Sequence, residues 1–382
     1  MISKLKTLIK FIIYYLINFI ITPSKEIKPK SLLLIRLDAI GDYVLFRNFI
    51  EVLAKSKKYK DYKITLLGNS AWKSLSEELD TEYVDECIWL DRNKFSKDLL
   101  YRYQKLKEIT ARGYEVVMSP VYSREFIYAD AIVKLIYAND KIGSIGNTSN
   151  IRVWQKNISD KYYTKLVPAK NELMFEFSRN KEFFENILDV KLNIIKPTIE
   201  TQNKKLSFEL PNNYAILFIG ASASYRKWNI KNFVKIAEYL KESYGYNIVL
   251  CGGPTDKNEA IEFKRYFYGE HLDLVGKTSL VELLTIIYNG SLMLSNETSA
   301  PHFAVALEMT KNFVISNGNH YGRFTPYPKE VSENYYVIYH PKIEQDLDDY
   351  KKLSNKYGYG SDLDINEITL ESVKEKIKEV LK

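Results

Sequence analysis

Four consecutive apolar residues, Leu32 to Ile35, are followed at once by Arg36, Asp38, Gly41 and Asp42, and then by apolar residues at Leu45, Phe49, Val52 and Leu53. An unbroken apolar run is the signature of a parallel strand covered on both faces, whereas the spacing of the later set is helical. The chain therefore turns from strand to helix at the Gly41-Asp42 pair. This places Asp42 at a helix start beyond the carboxyl end of a strand. In open α/β sheets ligands bind there, and unpaired N–H groups favour an ionised carboxylate. On spacing alone, the favoured reading of Asp42 is an N-cap or first-turn acid with no chemistry.

The same alternation recurs along the chain. Strands are expected at Lys63 to Leu67, Val84 to Leu90 and Val116 to Met118, with helices at Leu99 to Ile109, Ile127 to Tyr137 and Asn171 to Leu188. The stretch from Ile142 to Ile158 reads as loop. Pro197, Pro211 and polar residues between Lys196 and Asn213 read as a linker, after which the pattern starts again. A buried strand from Tyr214 to Ile219 leads into the loop GASASYRKW, Gly220 to Trp228. Asn229 is placed to cap a helix that Gly245 ends. Strands then follow at Asn247 to Cys251, Leu272 to Val275 and Ser291 to Leu294. Between the last two lies a helix from Leu280 to Tyr288, and an amphipathic helix from Thr369 to Leu381 closes the chain. Two α/β halves, each a doubly wound parallel sheet, are the expected outcome, facing each other across a cleft.

Composition agrees. The chain has 382 residues, 46% hydrophobic and 27% charged, too long for one core of usual size and too apolar for disorder. Its two cysteines, Cys87 and Cys251, show no staple or zinc spacing, which points to a reducing compartment. His271, His302, His320 and His340 show no metal-binding pairing. The net charge of +7 suits a nucleic acid, an anionic membrane or a phosphorylated substrate, and no basic run is dense enough to select nucleic acid. Residues 1–30 hold an apolar run from Phe11 to Ile17, preceded by Lys4, Lys6 and Lys10 and ended at Pro23. The run falls short of the ~20 residues that span a bilayer, and no small-residue cleavage site follows. It is expected as an uncleaved helix in the cytoplasmic membrane interface, with packing on the chain's own first domain as the alternative.

Gly276 to Thr278 read GKT, but a phosphate-binding loop of the triphosphatase kind would need glycine where His271 stands. In SLMLSNETSAPHFAVAL, Ser291 to Leu307, a buried strand delivers Asn296, Glu297, Thr298 and Ser299 into a turn before a helix. Backbone N–H groups and hydroxyls in such a turn suit phosphate. A capping box around Thr298, with His302 packed on the sheet, suits the same residues.

Taken together, these motifs resemble glycosyltransferase family 9, the bacterial heptosyltransferase family. RLDAIGDYVL is similar to its opening motif, whose Asp is the proposed catalytic base, here Asp42. Asn296, Thr298 and His302 match its Asn-Asp-Thr-Gly motif and following histidine. GASASYRKW resembles its loop ending in a basic pair and tryptophan, Gly276 to Leu280 its Gly-Lys-Thr-Ser-Leu stretch, and Asn317 to Tyr327 a late loop of some members. Glu297 and Ser299 depart from the family's Asp and Gly, Arg226 stands where Lys is common, and Phe46, Arg47 and Asn48 replace small residues and proline.

The resemblance implies a GT-B-type α/β fold of two Rossmann-like domains, and the N-terminal hydrophobic helix lies outside it. The divisions are 1–30, membrane-interface helix; 31–200, acceptor domain; 210–365, nucleotide-sugar domain; and 366–382, terminal helix. Asp42 would be the base. Ser222, Arg226, Lys227, Gly252, Gly276, Lys277, Thr278, Glu297, Thr298, Ser299, Ala300 and His302 would hold the donor, and Arg36, Gly41, His320 and Arg323 would line the acceptor side or cleft. The implied activity is inverting, metal-independent and cofactor-free transfer of heptose or another sugar from a nucleotide-diphosphate donor, ADP-heptose among them. The acceptor would be lipopolysaccharide or another lipid-linked surface glycan, at the cytoplasmic face of the inner membrane and with no nucleic acid partner. A nucleotide-sugar epimerase or hydrolase of the same fold, or a non-catalytic membrane-associated scaffold, are the alternatives.

Overall fold

A computed structural model describes residues 14, 16, 17, 19–200 and 204–382. The chain divides into two compact units. Unit 1 runs to residue 171 and resumes over 178–193, and unit 2 comprises 172–177 and everything from 194 onward.

In unit 1, β1 (Ile27–Arg36), β2 (Lys63–Asn69), β3 (Glu86–Leu90), β4 (Gly113–Ser119), β5 (Ala138–Ser144) and β6 (Lys165–Val167) form a parallel sheet ordered β3-β2-β1-β4-β5-β6. Leu32 to Ile35 are fully buried because β1 is an inner strand, with Leu32 opposite Ile64 on one side and Val116 on the other. In unit 2, β7 (Tyr214–Phe218), β8 (Asn247–Cys251), β9 (His271–Asp273), β10 (Leu292–Asn296), β11 (Asn312–Ser316) and β12 (Tyr335–Tyr339) repeat the arrangement as β12-β11-β10-β7-β8-β9. Both are the doubly wound order, in which the winding reverses between the first and fourth strands and opens a crevice at their carboxyl ends. The reversal falls between β1 and β4 in unit 1 and between β7 and β10 in unit 2.

Local signals place most helices. Asn229 caps Ile230–Tyr244 by accepting from the Lys231 N–H at 3.0 Å, and Gly245 ends it at φ 70°, a conformation glycine adopts without a side-chain clash. The terminal helix Leu370–Val380 buries Val373 and Ile377 in the unit 2 core. Elsewhere the structure differs from expectation. The stretch read as loop from Ile142 to Ile158 contains the end of β5 and most of a helix, Val153–Ser159. Polar Asn139, Asp140 and Lys141 disguise the strand, while Val153 and Trp154 face outward and leave the helix without an inward apolar stripe. The helix expected from Asn171 starts only at Glu176.

The membrane-interface helix expected over the first residues lies largely outside the described residues. Residues 14, 16, 17, 19 and 20 are helical. Tyr14 is buried with its ring under the Arg102 guanidinium at 4.2 Å, and Ile21 joins the unit 1 core with Ile17 packed against it. These contacts correct the picture of a segment held by lipid alone. Among the described residues no helix is long and apolar enough to cross a membrane.

The helices after β1 are held by a buried polar cluster. Asp80 accepts from the Tyr43 hydroxyl at 2.5 Å and from Arg47 Nε and Nη2 at 3.2 and 3.1 Å, and the Tyr43 ring stacks on Trp72 at 4.4 Å. Arg47, which departs from the family pattern, is thus turned into the interior. Removing one partner of a buried ion pair leaves a charge without compensation. Asp80→Ala is therefore expected to destabilise unit 1 by about 3–5 kcal/mol in urea unfolding. Glu51→Ala, which breaks the exposed pair with Lys55, should cost less than about 1 kcal/mol. Equal small losses would show that the cluster does not hold the helices.

Candidate active site

In unit 1, Gly41 and Asp42 occupy the first turn of the short helix Ile40–Val44, directly after β1, and Asp42 is half-buried. The loop before it is braced by Arg36, which has no exposed surface. Arg36 Nε lies 2.9 Å from Asp38 Oδ1, its Nη1 donates to Asn180 Oδ1 at 3.1 Å, and its guanidinium covers the Phe46 ring at 4.4 Å. The Asn180 amide then donates to the Leu45 carbonyl at 3.2 Å. Arg36 therefore spans the turn that presents Asp42. Arg92 donates to the Leu37 carbonyl at 2.7 Å and to Glu125 at 2.6 Å, so it links the loops beyond β1 and β4.

In unit 2 the loop Gly220 to Trp228 leaves β7, and Glu297 to Ser299 leave β10, on the two sides of the reversal. Asn296, fully buried, joins them. Its Oδ1 accepts from the Trp228 N–H at 3.0 Å and its Nδ2 donates to the Ile219 carbonyl at 2.9 Å. Arg226 donates to the Ser222 hydroxyl, and its Nε is buried with no hydrogen-bond partner among the described residues. Glu297 accepts from the Ser316 hydroxyl at 2.6 Å. Burial pushes its carboxyl up to about 7, against the opposing pull of Ser316, Arg226 and Asn319.

Glycosyltransferase family 9 (heptosyltransferase) has a model that matches residues 105–344, more than half of the chain. The chain belongs to this family. It is a glycosyltransferase. The fold agrees with solved structures of low sequence identity. A family 9 glycosyl transferase from Veillonella parvula is 16% identical with TM-score 0.68, over 94% of this chain and 99% of that one. The E. coli heptosyltransferase WaaC, solved with ADP, is 15% identical with TM-score 0.66, over 92% and 99%. E. coli ADP-heptose lps heptosyltransferase II is 16% identical with TM-score 0.65, over 92% and 98%. No curated protein matches the sequence.

The other residues expected at the site from the sequence divide into two kinds. Ser222 is exposed, and Thr278, Thr298 and Ser299 are half-buried, with Ser299 at the start of Ala300–Ala306 making no side-chain cap. Gly252 and Gly276 are joined by a backbone hydrogen bond of 3.0 Å, which brings the loops after β8 and β9 together. By contrast, Ala300 is fully buried and Lys277 reaches back to Asp273, at 2.7 Å from its carbonyl and 3.2 Å from its carboxylate. A capping box does not form around Thr298, since Ala300–Ala306 starts after Ser299 with no side-chain cap; a capping box is made by Ser279 and Glu282 on a different helix, Leu280–Asn289.

His302 is buried, bonded through Nδ1 to the Tyr327 hydroxyl at 2.7 Å, and burial lowers its pKa to about 4. It is neutral at pH 7 and braces the late loop. His320, at φ 60°, is likewise lowered to about 4, by burial first and then by Arg323 and Arg226. Arg323 lies 3.6 Å from Glu176 and covers the Phe324 ring. Sequence reasoning gave no role to Asp256 or Glu259, which hold Lys227. The signal available was an acid two positions after Gly-Gly-Pro at a helix start.

The raised Glu297 sets a pH dependence. Between the ordinary carboxyl pKa of 4.5 and about 7 the folded state keeps a proton that the unfolded state has lost, so this residue's contribution to stability falls as pH rises through that window. Glu297→Gln removes the loss. The variant is expected to match the native protein near pH 4.5 and to exceed it above pH 7 by at most roughly 3 kcal/mol in unfolding experiments. A constant offset at all pH values would mean that Glu297 titrates normally.

Proposed function

We propose that the protein transfers a sugar, with inversion, from a nucleoside-diphosphate donor to a hydroxyl of a lipopolysaccharide or other lipid-linked glycan. The acceptor oxygen attacks the anomeric carbon, the bond from that carbon to the diphosphate oxygen breaks, and Asp42 receives the hydroxyl proton. The nucleoside diphosphate leaves with the bonding electron pair, and Arg226 with the Ser222 hydroxyl meets its growing charge without a metal. The observation that carries this reading is the Arg226 guanidinium beside the β7–β10 reversal. Its buried Nε meets no acceptor among the described residues, and such a donor is costly unless a ligand supplies one. Family membership and the ADP-bound relative support the donor class.

With a chelator present, native protein should transfer at full rate from its donor. Asp42→Asn should bind nucleotide unchanged but lose turnover by ~10² or more. Near-normal turnover in that variant would remove Asp42 from the reaction, and a native rate that needs added magnesium would remove the metal-free scheme.

The same reading places the protein peripherally on the cytoplasmic face of the inner membrane. Leu16 and Ile20 are 61% and 67% exposed, and exposed Leu99 and Leu100 follow exposed Lys94 and Lys97. Apolar side chains beside lysines suit an anionic lipid surface. Leu16→Glu with Ile20→Glu should abolish sedimentation with vesicles containing anionic lipid and leave the melting temperature unchanged, since Tyr14 and Ile21 keep their core contacts. Unaltered vesicle binding would place the lipid contact elsewhere.

A further inference from the structure

The loop after β7 ends in two cations, Arg226 and Lys227, and the structure treats them differently. Lys227 Nζ lies 2.9 Å from Asp256 Oδ1 and 2.5 Å from Glu259 Oε1. An ammonium has three protons to donate, and two are taken by carboxylates that more than cancel its charge. A third anion brought to this point would meet net negative charge. Arg226 has no such partners and lies within electrostatic reach of Glu297.

Asp256 is 4% exposed and does more than hold the lysine. Its Oδ2 accepts from the Gly253 N–H at 2.8 Å, in the loop after β8. The same oxygen lies against the backbone leaving β7, where a Cβ added to Gly220 would sit 2.0 Å from it. Gly220 is therefore required for the carboxylate to approach. Gly252 in turn accepts from the Gly276 N–H, so the loop after β9 is tied to the loop after β8 that Asp256 holds against β7.

We infer that Lys227 is a positioning residue and not a donor ligand: Asp256 and Glu259 anchor it, and the anchored lysine fixes the turn that aims Arg226 at the diphosphate. This rests on the proposed donor role of the β7 loop. Lys227 closes that turn through its N–H to the Ser224 carbonyl at 2.9 Å, directly after Arg226. The clamp thus acts on Arg226 through the chain, with no contact of its own to the ligand.

Calorimetric titration of the full chain with ADP, UDP and inorganic pyrophosphate, each at low and high salt, tests the assignment. Arg226→Gln should weaken the binding ligand about tenfold and flatten its salt dependence, because a charge on the ligand's anion has gone. Lys227→Met, Asp256→Asn and Glu259→Gln should each weaken it several-fold with the salt dependence intact. The Lys227→Met, Asp256→Asn double variant should bind no worse than the weaker single one, as expected of groups acting as a unit. A flattened salt dependence in Lys227→Met would make Lys227 a ligand and overturn the assignment. So would tighter binding in Asp256→Asn or Glu259→Gln, which would mean that the carboxylates restrain a lysine meant for phosphate. If Asp256→Asn does not fold, the exposed-side partner Glu259→Gln decides alone. Failure of native protein to bind any of the three anions overturns the donor reading, and this assignment with it.

Discussion

One amide side chain, Asn296, sets the geometry on which the unit 2 site depends. With no exposed surface, it accepts from Trp228 and donates to Ile219, the two ends of the loop that carries Arg226. Both bonds are buried, so both partners would pay the desolvation of an unmet polar group if the amide were lost. An amide is needed because a carboxylate has no donor for the Ile219 carbonyl. The strand that delivers Glu297 therefore also fixes the loop of the neighbouring strand, and the winding reversal becomes a bound pair of loops.

Unit 1 uses a similar device with a different side chain. Arg36 sits inside the unit with its Nε 2.9 Å from the Asp38 carboxylate on one side and its Nη1 donating to Asn180 on the other, and Asn180 continues to the carbonyl of Leu45. The Asp38 charge, the Asn180 acceptor and the Phe46 face offset part of the cost of burying Arg36. Asp42 lies between the two braced points. In both units the bracing side chain, Arg36 or Asn296, is fully buried, whereas Asp42 and Arg226 on the braced turns are half-buried.

How much of this the sequence disclosed follows from the range of each interaction. Strands covered on both faces, such as Leu32 to Ile35 and Tyr214 to Phe218, announce themselves because every position must be apolar. The loops after β1, β7 and β10 were legible as strand-to-helix changes, and Asp42, Arg226 and Glu297 stand on them. The partners were not. Nothing local in Arg47 points to Asp80, and nothing in Lys227 points to Asp256, because these pairs are made by sheet topology between distant segments. The neutrality of His302 was hidden for the same reason, since it comes from burial beside Tyr327. β5 stayed hidden because its first half is polar and exposed, which leaves only Ile142 to mark a strand.

The short segment 172–177 shows how the chain is threaded. It belongs to unit 2, although unit 1 sequence precedes it and follows it. Phe175 packs on Tyr327 at a ring separation of 4.6 Å, and the Glu176 N–H donates to the Arg323 carbonyl at 2.8 Å. Neither unit is one contiguous stretch of polypeptide. A recombination event that exchanged everything from residue 194 onward would install a new C-terminal unit but leave these six residues facing a late loop they did not evolve with. Exchange of that unit is thereby restricted to events that carry the hexapeptide along, or to partners whose own late loop accepts a phenylalanine and a glutamate at those two places.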